Sequence, residues 1–503
     1  MKQKALLVNV HGHAGKPNTA RPAGGHRIAH YLRSEHDWDI EVIDFSRWWT
    51  LEELQTLFKH RYAQGAFKFV GFSHLFSIWD QHLEDFGVWI KKNYPDVILL
   101  SGAAVHPQFQ SNCIDYYVRG FGEKAVVNLL EWLFSNGRRP VFMMIDTKNR
   151  KIIDANDQYP AFPMRSLMIK YENRDFLTPG ETLGIEFARG CKFECDFCNF
   201  PILGVKGDYS RDADDAYEQL MDTYDRFGTK NYIVADETFN DRTEKITKFA
   251  DVIEKLPFEP WFSAFIRADL LAARKKDREE LARMNVRGQF YGIETFNHAS
   301  GKSISKGMHP DKLKAGLLEA KDYIKSVGNG LYRGSMALIV GLPHETPETL
   351  RSTQQWLLDN WQGESFFAYT LEIAVSDLVN PSKFSLDYEK YGYRQMATKP
   401  LTEARADQTS PNMGTEHLVW ENDIMNWYEA DKITKEFIEL NHSGKFNVNV
   451  FQIGSMIDIP EMKDKLAIPE SMYIPGSPML ADFNVAANRH VRSYIDNKLS
   501  WSQ

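Results

Sequence analysis

The chain has 503 residues, too many for one ordinary domain, so two or three domains are expected. Hydrophobic residues at 43% and aromatics at 13% exclude a globally disordered chain. Against 60 Lys and Arg stand 68 Asp and Glu, and the net charge of −8 tells against a broad grip on nucleic acid, though a local basic groove remains open.

Residues 1–140 alternate strand and helix. Ala5–Val10, Ile40–Ile43, Phe69–Ser73, Val97–Gly102 and Tyr116–Gly120 are short apolar runs, the first followed by a polar loop with Gly12, Gly15, Gly24 and Gly25 and a helix through Ile28–Leu32. Continuous apolar strands between helices predict a doubly wound parallel sheet, with a ligand crevice at the strand carboxyl ends. Residues 141–180, with Pro160, Pro163 and Pro179, have weak periodicity and are expected to be a connector. Over 181–378, six strands recur with helices between: Leu183–Phe187, Tyr232–Asp236, Trp261–Ile266, Gln289–Glu294, Met336–Gly341 and Phe366–Ile373. Six repeats predict a partial (β/α)6 barrel of the TIM type, with chemistry at the strand carboxyl ends. Residues 379–503 are a mixed α/β extension expected to close the barrel, with a helix over Trp420–Leu440 and a turn at Pro475–Pro478. Trp420, Trp427 and Tyr428 are candidates for the pocket wall or for a local core. There is no run of about 18 apolar residues and no signal peptide, so a soluble cytoplasmic protein is expected.

Four cysteines are no disulfide framework, and three of them, Cys191, Cys195 and Cys198, lie in one C-x-x-x-C-x-x-C loop after the first barrel strand. Three thiolates in one tight loop suit three corners of a cubane iron–sulfur cluster and leave its fourth iron open to another ligand. The alternative is a zinc loop completed by a distant histidine, although the spacing departs from paired C-x-x-C knuckles. Cys113 stands apart and reads as a buried structural thiol. With no further cysteines, an auxiliary cluster and methylthio transfer are disfavoured. Gly301-Lys302-Ser303 lacks the first glycine of a phosphate loop, because position 296 is Phe296.

The cysteine motif on a six-unit barrel resembles the radical S-adenosylmethionine (SAM) superfamily. That resemblance implies a 4Fe–4S cluster on the three cysteines, SAM chelated at the open iron, and its reductive cleavage to a 5′-deoxyadenosyl radical. It also assigns SAM-binding roles. Phe197 falls beside the adenine, and Asp236 and Glu237 fall near the amino group. Glu294 of Gly292-Ile293-Glu294 meets the ribose hydroxyls. Gly341, in Gly341-Leu342-Pro343-His344-Glu345-Thr346, allows backbone approach to the adenine. Arg333 is a candidate partner for the SAM carboxylate, and Arg267-Ala268-Asp269 resembles an R-x-D run of these barrels. Helix capping and salt bridges are the competing structural accounts of these residues.

The N-terminal domain resembles the cobalamin-binding domain that precedes many such barrels. The resemblance rests on Gly71-Phe72-Ser73, on Ser101–Pro107 with Gly102 and Ala103, and on Arg119-Gly120-Phe121-Gly122-Glu123. Ser73, Gly102, Ala103, Gly120, Gly122 and Glu123 are thereby cobalamin candidates. The family's D-x-H-x-x-G cobalt-ligand motif is imperfect here, since His11 replaces the Asp before His13 and Gly15 comes one residue early. A scaffold that no longer binds the corrin is the competing account. The resemblance implies a cobalamin-dependent methyltransferase acting on a small molecule or peptide, reduced by a flavodoxin or ferredoxin. The alternatives are a radical SAM rearrangement or cyclisation enzyme without methyl transfer, and a zinc-stabilised binding protein.

Overall fold

The computed structural model describes residues 2–10, 21–74, 81–102, 111–140, 143–146, 149–155, 168–203, 206–207, 209–373, 382–400, 416–447 and 478–501. His11, His13, Ala103–Pro107 and the turn residues 475–477 lie outside them.

The N-terminal sheet contains β1 (Gln3–Val10), β2 (Trp38–Ile43), β3 (Phe67–His74), β4 (Ile98–Ser101), β5 (Tyr116–Arg119), β6 (Met143–Ile145) and β7 (Lys151–Asp154), in the order β2-β1-β3-β4-β5-β7-β6. All pairings are parallel except β6 with β7. The sequence order reverses between β1 and β3, and in such sheets that switch point opens a crevice beyond the strand carboxyl ends. Side-chain alternation along β1 builds two cores. Ala5 and Leu7 pack beneath helices Ala23–Glu35 and Glu123–Phe134, whereas Leu6, Val8 and Val10 pack beneath Leu51–Ala63 and Gln81–Asn93. Cys113 is buried in the second core, and burial pushes its thiol up to about 12, so it is the structural thiol expected.

Two expectations about boundaries are corrected. The segment read as a connector supplies β6 and β7, whose short runs are too brief to show a period, so the N-terminal sheet continues to Asp154. The last helix, Pro478–Ser500, does not close the barrel. Its Val491, Tyr494 and Ile495 complete the second N-terminal core, and the Lys498 ammonium pairs with buried Glu41 at 3.2 Å.

The second sheet is assembled from β8 (Leu183–Ile185), then, past a small pair formed by β9 (Ala188–Arg189) and β10 (Tyr209–Ser210), from β11 (Asn231–Val234), β12 (Trp261–Ile266), β13 (Val286–Glu294), β14 (Arg333–Val340) and β15 (Ser365–Thr370). Its order is β15-β14-β13-β12-β11-β8 and every pairing is parallel, the sequential arrangement of a partial barrel. The six expected strands are all present.

A hairpin of β16 (Arg394–Pro400) and β17 (Glu416–Glu421) and the helix Trp427–Asn441 pack on the β14–β15 edge. Trp420 thus belongs to a strand, not to the helix expected from Trp420 onward. The helix starts later because Asn426 and Glu429 form a capping box, each side chain bonding the other's backbone amide. Trp420 and Trp427 are buried in the core and Tyr428 is exposed, so the first two are packing residues. Among the described residues no helix is long and apolar enough to cross a membrane.

Candidate active site

The cysteine loop leaves β9 through Gly190, whose φ of 102° is the left-handed turn that aims the chain across the barrel end. The three thiols are half-buried. The Cys198 amide donates to the Cys195 carbonyl at 3.0 Å, closing a tight turn. Each sulfur has a donor beside it. Arg267 Nη1 lies 3.3 Å from Cys195 Sγ, the Phe200 amide 3.4 Å from Cys198 Sγ, and Thr238 Oγ1 3.7 Å from Cys191 Sγ. Burial raises the Cys191 thiol and pushes Cys198 up to about 11, with the charges of the neighbouring sulfurs adding to both. Thiols of this kind ionise when a metal takes them as ligands.

Among the described residues no three His, Cys, Asp or Glu side chains converge on one ion-sized point. Three thiols from one tight loop are a donor set suited to three irons of a cubane. The donor set therefore fits a cluster held by Cys191, Cys195 and Cys198.

Asp196, which the sequence reading passed over, anchors the loop. Its carboxylate accepts from Ser305 Oγ at 3.1 Å, Lys383 Nζ at 3.0 Å and Tyr391 Oη at 3.1 Å, and its carbonyl accepts from the Phe384 amide at 2.8 Å. Phe197, beside it, lies under Lys306 with Nζ 5.3 Å from the ring centre.

The acidic residues after β11 act on the loop's base. Glu237 Oε2 accepts from the Gly190 amide at 3.1 Å, one residue before Cys191. Asp236 is buried and turned into the wall, where Oδ1 accepts from the Phe187 amide at 2.8 Å; burial pushes its carboxyl up to about 7. Buried Lys245 ties this turn together, donating to the Thr238 carbonyl at 3.1 Å and pairing with Asp241 at 2.5 Å. Asp236 is thus a wall residue here, while Glu237 stays half-buried beside the cysteines.

At the end of β13 a bulge between Gly292 and Glu294 gives Glu294 a φ of 65° and sets its carboxylate 3.0 Å from Lys306 Nζ. Neither Arg267 nor Arg333 pairs with it. Arg267 is clamped by Asp269 at 3.0 and 2.6 Å. Arg333 opens β14 at the amino end of the barrel. That strand has 8 residues, about 25 Å in length, so Arg333 is remote from the mouth and is excluded as a partner for a group bound there. Its place ahead of the apolar run, rather than behind it, was the available signal.

Gly341, with φ at 99°, ends β14. A Cβ there would meet the Trp420 ring at 2.5 Å, so the glycine is required by this indole. The turn is closed from within by Glu345, which accepts from the amides of Gly341 and Leu342 at 2.9 and 3.0 Å and from Thr295 Oγ1 at 2.7 Å.

The N-terminal domain docks on this site through the ends of its own strands. Glu123 and Glu186 grip Arg189, the residue before Gly190, with the Glu123 oxygens at 3.2 and 3.0 Å and those of Glu186 at 2.8 and 3.0 Å. Arg27 pairs with Glu186, and the Arg189 guanidinium lies 4.0 Å above the Phe121 ring. Burial would raise the Glu123 carboxyl, but the charges of Arg189 and Arg27 outweigh it and the net shift is downward. Glu123 is therefore an anchor to the barrel. Gly120 takes φ at 89° to turn the chain there. A Cβ on Gly184 of β8 would come within 3.1 Å of the Ala23 Cβ, so the two segments are closely packed there. Ser73 faces Gly24, and the Gly102 amide donates to the Phe72 carbonyl at 2.8 Å, placing both at the crevice end of the sheet. Ala103 lies outside the described residues.

Residues 185–357 match the family model of the radical SAM superfamily, so the barrel is a radical SAM domain and the protein is an enzyme. Radical SAM domains work with a 4Fe–4S cluster and SAM, and the cysteine loop described above lies within the matched span. Among curated relatives, the anaerobic magnesium-protoporphyrin IX monomethyl ester cyclase of Cereibacter sphaeroides is 25% identical over 317 residues, 58% of this chain and 49% of its own. The chain spans about half the length of the curated relatives it matches. Among solved structures, the radical SAM methyltransferase TsrM from Kitasatospora setae superposes with a TM-score of 0.66 at 14% identity, covering 98% of this chain and 99% of that one. The cobalamin-dependent radical SAM enzyme OxsB gives 0.61 at 14% identity, covering 97% and 72%. At these identities the two structures establish a shared fold.

Proposed function

We propose that this protein is a cobalamin-dependent radical SAM methyltransferase acting on a small molecule or peptide. The observation that carries the reading is the docking of the Gly120–Glu123 turn on Arg189. It brings the carboxyl end of the N-terminal sheet, where such sheets bind ligands, against the strand that launches the cysteine loop. TsrM and OxsB, of the same fold, have been solved with cobalamin bound. The corrin-binding unit is then residues 1–155 with the helix Pro478–Ser500, with Ser73, Gly102, Gly120 and Gly122 around the crevice.

When bound, the cluster supplies the electron that cleaves SAM and the corrin carries the methyl group. The chain's own residues position them. Cys191, Cys195 and Cys198 hold the cluster, and Asp196, Glu237 and Arg267 fix the loop's geometry. Phe197, Glu294 and the Gly341 turn would bind SAM, and Lys306 holds the Glu294 carboxylate in place at 3.0 Å. A flavodoxin or ferredoxin in the cytoplasm serves as electron donor.

Anaerobic reconstitution with iron, sulfide and hydroxocobalamin tests this. About four irons per chain and a corrin absorbance that co-elutes in gel filtration are expected, and Cys191→Ala, Cys195→Ala and Cys198→Ala each abolish SAM cleavage. A chain that keeps its iron but releases all corrin overturns the cobalamin reading. The match to a cyclase favours a second reading, ring chemistry without methyl transfer. Under it, turnover yields 5′-deoxyadenosine with no S-adenosylhomocysteine.

A further inference from the structure

The amino end of the second sheet, away from the cysteine loop, carries a cavity of about 370 Å³. That lies at the small end of ligand pockets, which run roughly 300–1,000 Å³. It opens between the turn 254–260, which joins helix Thr243–Ile253 to β12, and the turn 284–285, which joins helix Lys275–Arg283 to β13. Leu256, Pro257, Phe258 and Pro260 line one wall, Asn285 and Arg287 the other. Both walls are fixed. The Phe258 ring stacks on Tyr224 at 4.0 Å and 15°, and Asn285 Nδ2 reaches the Pro260 carbonyl at 2.5 Å.

Two local departures set the place of Arg287. Asn285 takes φ at 60°, and its carbonyl accepts from the Phe262 amide at 3.2 Å and the Arg287 amide at 3.0 Å. The β12–β13 register then slips, with Phe262 opposite Val286 but Ser263 opposite Gly288, so Arg287 is the extra residue of a β-bulge. Bulges re-aim a side chain out of the strand's alternation. Arg287 is 7% exposed, and a Cβ on Gly328 would stand 3.0 Å from its Nη1, so the guanidinium packs against the end of helix Pro310–Val327. Among the described residues, Nη1 has no acceptor and the guanidinium no ion-pair partner. Burial holds the group below its ordinary value, and Glu259, acting through space, offsets only part of that. Arg283, also in the lining, is by contrast engaged, pairing with Glu254 at 2.7 Å, with Asp251 at 2.8 Å and with Glu280. A buried charge is costly unless it is paired and hydrogen-bonded.

We infer that this cavity is a binding site for a small monocarboxylate, its carboxylate on the Arg287 fork and its apolar body against Leu256 and Phe258. A guanidinium matches a planar carboxylate with two parallel hydrogen bonds. Glu254 and Glu259 line the cavity and Asp251 and Glu280 stand on Arg283, four carboxylates against two guanidiniums, so a second negative charge on the ligand would be repelled. The site is remote from the barrel mouth. Arg287 and Glu294 are seven positions apart on β13, about 23 Å, so the ligand is neither SAM nor the substrate of the reaction proposed above.

The test uses the full chain, iron-reconstituted, with sodium hexanoate as the probe and hexan-1-ol, hexylamine and adipate as controls in saturation-transfer NMR titrations. Hexanoate is expected to bind, each control about tenfold more weakly or not at all, and SAM is expected to leave the hexanoate signal unchanged. Arg287→Met, which keeps the apolar stem without the charge, should weaken hexanoate by about tenfold or more with iron content and the circular-dichroism spectrum unchanged. Its thermal midpoint without ligand should equal or exceed the parent's, since the unpaired buried charge is gone. Arg287→Lys, which keeps the charge but not the fork, should fall between the two in affinity. Absence of hexanoate binding overturns the inference, as do equal binding of any control, indifference to Arg287→Met, or displacement of hexanoate by SAM. A lower midpoint for ligand-free Arg287→Met overturns it too, and would make the guanidinium a structural partner of the helix end at Gly328.

Discussion

Arg267 reaches Cys195 with one arm of its guanidinium and Asp269 with the other two nitrogens, while its plane lies 3.9 Å above the Phe193 ring. The fork is thus fixed on three sides before any cluster arrives. A fixed cation donating to a ligand sulfur stabilises the more negative, reduced state of an iron–sulfur centre. Arg267→Gln should keep its iron and lower the cluster's reduction potential by on the order of tens of millivolts. Arg267→Lys, which retains charge but not the fork, should fall between. Redox titration followed by electron paramagnetic resonance reads both. An unchanged potential in Arg267→Gln would show that the contact is only structural.

The pairing of Arg189 with Glu123 joins the two sheets where both are functional. Glu123→Gln leaves a buried guanidinium short of one partner, and breaking such pairs costs about 3–5 kcal/mol. Glu186 remains on Arg189, so the barrel itself should stay folded. Hydrogen exchange should quicken at 119–127 and 186–191 and not in helix Pro310–Val327. Corrin retention should fall with iron content unchanged. Uniform exchange across the chain would mean that the pair stabilises the whole fold rather than this junction.

Much of this was legible because it is local. The apolar runs of both sheets and the cysteine spacing are properties of short segments, and β12 was read to the residue as Trp261–Ile266. What escaped was set by partners far along the chain. Helix Pro478–Ser500 finds its core far upstream, the Tyr494 hydroxyl accepting from the Asp44 amide 450 positions earlier, and no periodicity within the helix encodes that. Lys306 was missed because its partner Glu294 is defined by a β-bulge, and Asp196 because its three donors come from two other segments. Arg333 failed for a different reason: it was judged by residue type, and its end of the strand decides against it.

Gly341 tests the C-terminal subdomain's hold on the barrel. An alanine there faces two costs, a positive φ and a Cβ pressed to 2.5 Å from the Trp420 ring, which is itself fixed by its 2.8 Å bond to the Leu371 carbonyl. Backbone strain and overpacking each cost about 1–3 kcal/mol. Gly341→Ala should therefore loosen hairpin and helix Trp427–Asn441 by about 2–6 kcal/mol. Limited proteolysis should show earlier cleavage between 416 and 447. The second substitution Trp420→Leu should recover part of the loss, since it removes the clash but not the strained φ. Full recovery would mean that φ carries no cost here.

Glu345 gives the same turn a pH dependence. Its carboxyl is buried and pushed up to about 7, because burial outweighs the three hydrogen bonds it accepts. The folded chain then holds a proton that the unfolded chain, titrating near its ordinary 4.5, has released. Between these values the folded state binds more protons, so this group's contribution to stability falls as pH rises from about 4.5 to 7 and is flat beyond. The loss is on the order of 3–4 kcal/mol at most, from 1.36 kcal/mol per pKa unit. Glu345→Gln keeps an acceptor for the Gly341 and Leu342 amides and has no proton to lose. Its thermal midpoint should match the parent chain near pH 5 and exceed it at pH 8. Parallel pH profiles for the two proteins would show that Glu345 is already ionised in the fold, with its three donors outweighing burial.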